Sequence, residues 1–136
     1  MPQSDVYLGN PNLKKANTEI QFTEENVKEF LKCKDDPVYF AREYIKIVNV
    51  DEGLVPFDMW PFQEKLIKNF HKNRFNICMM PRQTGKSTTS VSYLLHYAIF
   101  NDNINIGILA NKAATARDLL GRLQTAYENL PKWMQQ

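Results

Sequence analysis

Cysteine is scarce in this chain of 136 residues: Cys33 and Cys78 are the only two, far apart and outside any metal-ligand spacing. That excludes a disulfide-dense scaffold and a zinc ribbon, and it predicts two buried free thiols in a reducing compartment, with a single disulfide as the alternative. No stretch approaches the ~18 consecutive apolar residues of a membrane span, and no apolar leader follows Met1, so neither a membrane span nor secretion is expected. Histidine is limited to His71 and His96, which have no partner at catalytic or metal spacing; His96 is expected on a helix rim. A charge excess of one sign is nearly absent, at +2, which neither demands nor excludes a nucleic-acid partner, since a local basic stripe decides that. Internal repeats and low-complexity tracts are missing too. What remains, 43% hydrophobic and 12% aromatic, is ordinary globular composition with enough length for one compact domain.

The chain then divides by pattern. Residues 1–22 mix Pro, Asn, Gly and Lys and predict an extended or loosely packed arm. Thr23 followed by Glu24 and Glu25 is a helix start, with Val27, Phe30 and Leu31 at helical spacing. Asp36-Pro37 is a second start, cap plus proline at the first helical position, with Phe40, Ala41, Tyr44 and Ile45 on one face. "IKIVNVDEGLVPF" (45–57) alternates and breaks at Asp51-Glu52-Gly53, which predicts a hairpin and completes a mainly helical segment over 23–57. Asp58 to Lys72 reads as a helix carrying Phe62, Leu66, Ile67 and Phe70 on one side.

From residue 75 the period changes. "FNICMM" (75–80) and "INIGILA" (104–110) are apolar runs of strand length, the second suited to a strand covered on both faces. Between them, Val91, Leu94, Leu95, Ala98 and Ile99 mark a helix. After them, Ala116, Leu119, Leu120, Leu123, Tyr127 and Leu130 mark another, ending by Pro131. Strand, helix, strand, helix predicts an α/β fold with a parallel sheet and right-handed crossovers.

The sharpest chemistry lies at the first of those strand-to-helix junctions, "MMPRQTGKSTT". Gly85-Lys86-Ser87 is the end of a phosphate-binding loop, G-x-x-x-x-G-K-[ST], although Met80 stands where the first glycine belongs. Such a loop works by turning consecutive backbone N–H groups and a helix N-terminus onto one anion. Gly85 lets the backbone approach, Lys86 reaches the β- and γ-phosphates, and the Ser87 hydroxyl is the expected Mg²⁺ ligand, with Thr88 supporting the metal or starting the helix. Pro81 removes one N–H and holds Met80 extended, leaving the donors from Gln83 to Ser87, Thr84 and Gly85 included. Arg82 is either a cis arginine that stabilises the γ-phosphate or a solvated side chain.

Gln63, one helix upstream in "WPFQEKL", carries an amide that can both donate to and accept from an adenine edge, with Trp60 or Phe62 to cover the base. Aromatic residues at this spacing also serve as plain core. "KLIKNFHKNR" (65–74) is basic enough for a phosphate backbone, though a solvated helix face has the same composition. Asp35-Asp36 and Asp51-Glu52 read as cap and turn residues.

Taken together, "LGNPNLKKAN", "KCKDDPVYFAREY", the "FQ" pair, "RQTGKST", "IGILANKAATA" and "LPKWMQ" resemble the N-terminal part of the large terminase subunit of T-even-like tailed bacteriophages, in the same order and over nearly the whole chain. That subunit is a DNA-packaging motor. The resemblance implies a partial RecA-like P-loop ATPase domain over 58–136, with Arg82 through Thr88 as its Walker A loop and Gln63 on the adenine side. In that family the loop commonly lacks the first glycine and carries an early arginine. The resemblance further implies ATP and Mg²⁺ as cofactors, double-stranded DNA, a portal protein and a small terminase subunit as partners, and the host-cell cytoplasm with transient procapsid docking as location.

Two elements of that family have no counterpart in these residues: the apolar strand ending in Asp-Glu and the acidic nuclease domain. The expectation is therefore a truncated or split product that binds nucleotide without meaningful turnover. A helicase-like P-loop ATPase shares the upstream glutamine, and a non-hydrolysing interaction module of the packaging machinery is the reading from another class.

Overall fold

In the computed structural model, which describes residues 6–135, the predicted helix starts act as drawn. Thr23 accepts the Asn26 N–H at 3.2 Å and opens α1 (Glu24–Asp35), whose first turn holds Glu24 and Glu25 and whose last turn holds Lys32 and Lys34, each sign at the favourable end of the dipole. Asp36 then caps α2 (Pro37–Tyr44), accepting the Val38 and Tyr39 N–H groups at 3.0 and 3.1 Å. The Tyr39 and Tyr44 hydroxyls donate to the Glu29 carboxylate at 3.0 and 2.9 Å, which fixes α2 against α1.

The hairpin expected over 45–57 is also present. β3 (Lys46–Asn49) pairs antiparallel with β4 (Gly53–Pro56), Lys46 opposite Pro56 and Asn49 opposite Gly53. Asn49 Oδ1 accepts the Asp51 N–H at 2.9 Å, and Gly53 supplies the positive φ of 75° that closes the turn.

Three more helices follow: α3 (Pro61–Lys72), α4 (Lys86–Phe100) and α5 (Ala113–Glu128). α4 is central, packing against α2, α3 and α5. Its buried face is Thr89, Val91, Ser92, Leu95, His96, Ile99 and Phe100, rotated toward the small polar residues relative to the face expected from apolar periodicity. Thr89 and Ser92 let the neighbouring helices approach. Their hydroxyls donate back to the Gly85 and Thr88 carbonyls at 2.8 and 2.9 Å, so no donor is stranded by burial. The centre of the core is Cys33, Phe40, Ile67, Leu95, Ile99 and Met134, with the Phe100 ring edge-on to Phe30 and Phe40 at 4.9 and 5.6 Å.

The expected parallel sheet does not form. Among the described residues there are five helices and two small antiparallel sheets, each of two strands, and no parallel pairing. This is not the RecA-like architecture. Both apolar runs are present but lie open. Residues 75–80 and 104–110 belong to no strand and make no backbone–backbone hydrogen bond among the described residues. Ile77, Met79 and Leu109 are 94%, 93% and 92% exposed. The physical reason is that apolar composition at strand length supplies only a surface suited to a sheet, whereas a strand also needs neighbours for its N–H and C=O groups. Here the core closes by helix-on-helix packing without them.

Three smaller expectations are corrected or refined. Cys33 is buried as expected, but the Cys78 thiol, also free, is exposed, because its segment has no cover. His96 is 3% exposed rather than on a rim. The stretch expected as a loose arm contains, over its described part, a hairpin of β1 (Val6–Tyr7) and β2 (Asn10–Lys14). The buried Gln135 side chain joins that hairpin's edge as a strand residue would. It accepts the Lys14 N–H at 2.9 Å, and its amide donates to the Asn12 and Leu130 carbonyls at 2.8 and 3.1 Å. No helix among the described residues is long and apolar enough to cross a membrane.

Candidate functional site

The loop between Met80 and α4 is built from alternating backbone turns. Gln83 and Gly85 have φ of 60° and 71°, while their neighbours keep negative φ. Positive φ at alternate residues is the backbone pattern from which anion-binding nests are built. Gly85 is the residue preceding α4, so this nest merges with the helix N-terminus. The first backbone donor with a protein acceptor is Thr89, whose N–H meets the Gly85 carbonyl at 2.9 Å. From Arg82 to Thr88, seven consecutive N–H groups have no acceptor among the described residues. A free helix start accounts for only the last few of these.

Side chains brace the loop from three directions. The Thr84 hydroxyl donates to the Pro81 carbonyl at 3.0 Å, closing the turn on itself. Lys86 reaches back across the loop and its Nζ donates to the Met80 carbonyl at 3.2 Å, holding a half-buried cation at the loop's entrance. Gln63, 4% exposed, accepts the Trp60 N–H at 2.9 Å and donates through Nε2 to the Thr84 carbonyl at 3.1 Å. The Met80 and Pro81 carbonyls had no sequence signal as braces. Their part follows only from where the loop turns.

The structure gathers the residues singled out from sequence unevenly. Gln63, Gln83, Thr84, Gly85, Lys86, Ser87 and Thr88 converge on one loop and the helix it opens. Arg82 sits on the loop's exposed shoulder and forms no ion pair among the described residues. Trp60 and Phe62 are exposed beside Gln63, not folded into the core. The Gln63 amide, however, is turned into the protein. Lys86 and Ser87 also line a cavity of about 230 Å³ shared with Cys78 and Ile108, so both open apolar segments run past the same side of α4.

Mg²⁺ fits here only in part. The Ser87 hydroxyl sits half-buried at the helix start with no protein partner among the described residues, as a metal-ligating hydroxyl should. Yet no group of three or more His, Cys, Asp or Glu is placed to hold a metal among those residues, and the cavity beside Ser87 is lined by no carboxylate. A cation held by Ser87 therefore needs phosphate oxygens and water for its remaining ligands. No protein-family model matches the chain.

Proposed function

We propose that this chain binds the phosphates of a nucleoside triphosphate in the loop from Arg82 to Thr88, as the nucleotide-binding part of a terminase-type DNA-packaging ATPase. The observation that carries the reading is the run of seven consecutive N–H groups at the start of α4 with no acceptor among the described residues, beside a Lys86 ammonium bonded to the Met80 carbonyl at the loop's entrance. Phosphate oxygens are the acceptors that such a row of donors lacks. Lys86 exchanges the Met80 carbonyl for a phosphate oxygen, Ser87 offers its hydroxyl to Mg²⁺, and exposed Arg82 is free to reach the γ-phosphate. Mg²⁺ would neutralise phosphate charge when bound.

The terminase part of the proposal rests on the ordered sequence segments. With it come ATP as the nucleotide, double-stranded DNA, portal protein and small terminase subunit as partners, and the host cytoplasm as location. A second reading, a docking module that does not hydrolyse, draws on the exposed apolar segments at 75–80 and 104–110.

Calorimetric titration of Mg-ATP into the chain and into Lys86→Ala tests the phosphate loop. Saturable binding by the parent and none by the variant is the expected result. Equal affinities would remove the loop from nucleotide binding altogether.

A further inference from the structure

We propose that Gln63 is the positioning residue of the phosphate loop, aiming its backbone donors, and not a reader of the nucleobase. The inference rests on the phosphate-binding reading of residues 82–88.

The orientation of the Gln63 amide is fixed by chemistry on both sides. Trp60 presents an N–H, which only the side-chain oxygen can accept, and Thr84 presents a carbonyl, to which only the amide nitrogen can donate. Flipping the amide would put donor against donor and acceptor against acceptor. Gln63 also donates its own N–H to the Trp60 carbonyl at 2.9 Å, so residues 60 and 63 clasp each other at the start of α3. The strut thus has a rigid foot. An adenine edge would have to displace one of these bonds inside a site with almost no solvent access.

The bond to Thr84 has a directional consequence. A trans peptide is planar, with its C=O and the following N–H on opposite sides. Holding the Thr84 carbonyl toward Gln63 turns the Gly85 N–H the other way, into the nest. It also keeps a carbonyl oxygen, which would repel phosphate, out of the cradle. Gly85 records how closely the amide lies. A Cβ there would sit 2.4 Å from Gln63 Nε2, and φ at this residue is 71°. Glycine is required both for the turn and for the amide that lies on it.

Gln63→Glu separates the two ends of the strut. A carboxylate still accepts the Trp60 N–H, so the α3 start is kept, but it cannot donate to Thr84. The readout is calorimetric affinity for ATP and for inorganic tripolyphosphate, which has no base, with amide hydrogen exchange at Thr89, the first bonded N–H after the loop. The expected result is a loss of about tenfold for both ligands by the same factor, the scale of one lost directed hydrogen bond. Thr89 exchange should accelerate by more than exchange at Leu95, which reports only the overall loss of stability. A loss confined to ATP would overturn the proposal and make Gln63 a base reader. Unchanged affinities with unchanged Thr89 exchange would overturn it as well. If the parent binds neither ligand, the phosphate reading itself fails, and Thr89 exchange alone then decides whether Gln63 holds the loop.

Discussion

His96 and Cys33 are joined by a hydrogen bond that Pro37 makes necessary. The Cys33 carbonyl, in the last turn of α1, would be met by the N–H four residues on, but that residue is Pro37 and has none. His96 Nε2 lies 2.8 Å from the orphaned oxygen and must carry the proton, because a carbonyl only accepts. The Nδ1 atom is then bare, and it has no partner in its buried setting. The ring packs against Phe40 and Phe100 at 5.4 and 4.7 Å, with His71 6.0 Å away on α3.

Burial lowers the His96 pKa below the ordinary histidine value, His71 pushing the same way while the Cys33 and Lys34 backbone and the Asp36 charge oppose. The unfolded chain therefore binds the proton more readily than the folded one. Stability should be fully present above the unfolded value near 6.5 and should decline as pH falls from there through the lower folded value. Urea unfolding between pH 7.5 and pH 5 should show that loss, and His96→Gln, which keeps a donor for Cys33, should flatten it. An equally steep decline in the variant would place the acid sensitivity elsewhere.

The two thiols should differ sharply. Burial pushes the Cys33 thiol up to about 12, while Cys78 is exposed. A thiol reagent at neutral pH should modify one cysteine in the native chain and two in denaturant. Cys78→Ser should leave the native protein unreactive. Rapid labelling at both positions would mean that α1 does not stay packed on α4.

Replacing Gly85 probes two strains at once. Gly85→Ala places a methyl group against the Gln63 amide and demands a left-handed conformation that costs about 1–2 kcal/mol. Adding Gln63→Ala removes the clash and leaves the conformational cost. The double variant should therefore lose less than the sum of the single ones in denaturant unfolding. Strict additivity would show that the two side chains do not meet.

Phosphate release should stay at background when the 136-residue chain is incubated with Mg-ATP. Among the described residues no carboxylate lines the cavity beside Lys86 and Ser87, where a group polarising the attacking water would stand. Turnover abolished by Lys86→Ala would point to a base recruited from elsewhere in the chain.

Local chemistry was well written in the sequence. Thr23, Asp36-Pro37 and Asp51-Glu52-Gly53 each act on neighbours within four residues, and the structure uses them where they stand. The failures are non-local. "FNICMM" and "INIGILA" have strand composition, but pairing depends on what lies alongside, which composition does not encode. His96 was misplaced because its role is set by a carbonyl on α1 that a proline leaves unbonded. A wheel that also counted Ser92, His96 and Phe100 would have found the true face of α4. The Gln63 amide is legible as a donor and acceptor, yet its partner is a loop carbonyl that only the fold brings near.

The open ribbon from Phe75 to Met80 has a bearing on how the chain keeps its own copies apart. It is uncharged, β-prone and solvent-facing, the composition that zips identical molecules together. Arg74 stands at one end with its guanidinium 5.2 Å from the Phe75 ring, and Pro81-Arg82 closes the other. Two cations and a proline at the borders make in-register stacking put like charges face to face and interrupt the hydrogen-bond ladder. Arg82 would then serve as a gatekeeper against self-association besides any duty toward phosphate, and salt, by screening that repulsion, would be the condition under which the ribbon is least protected.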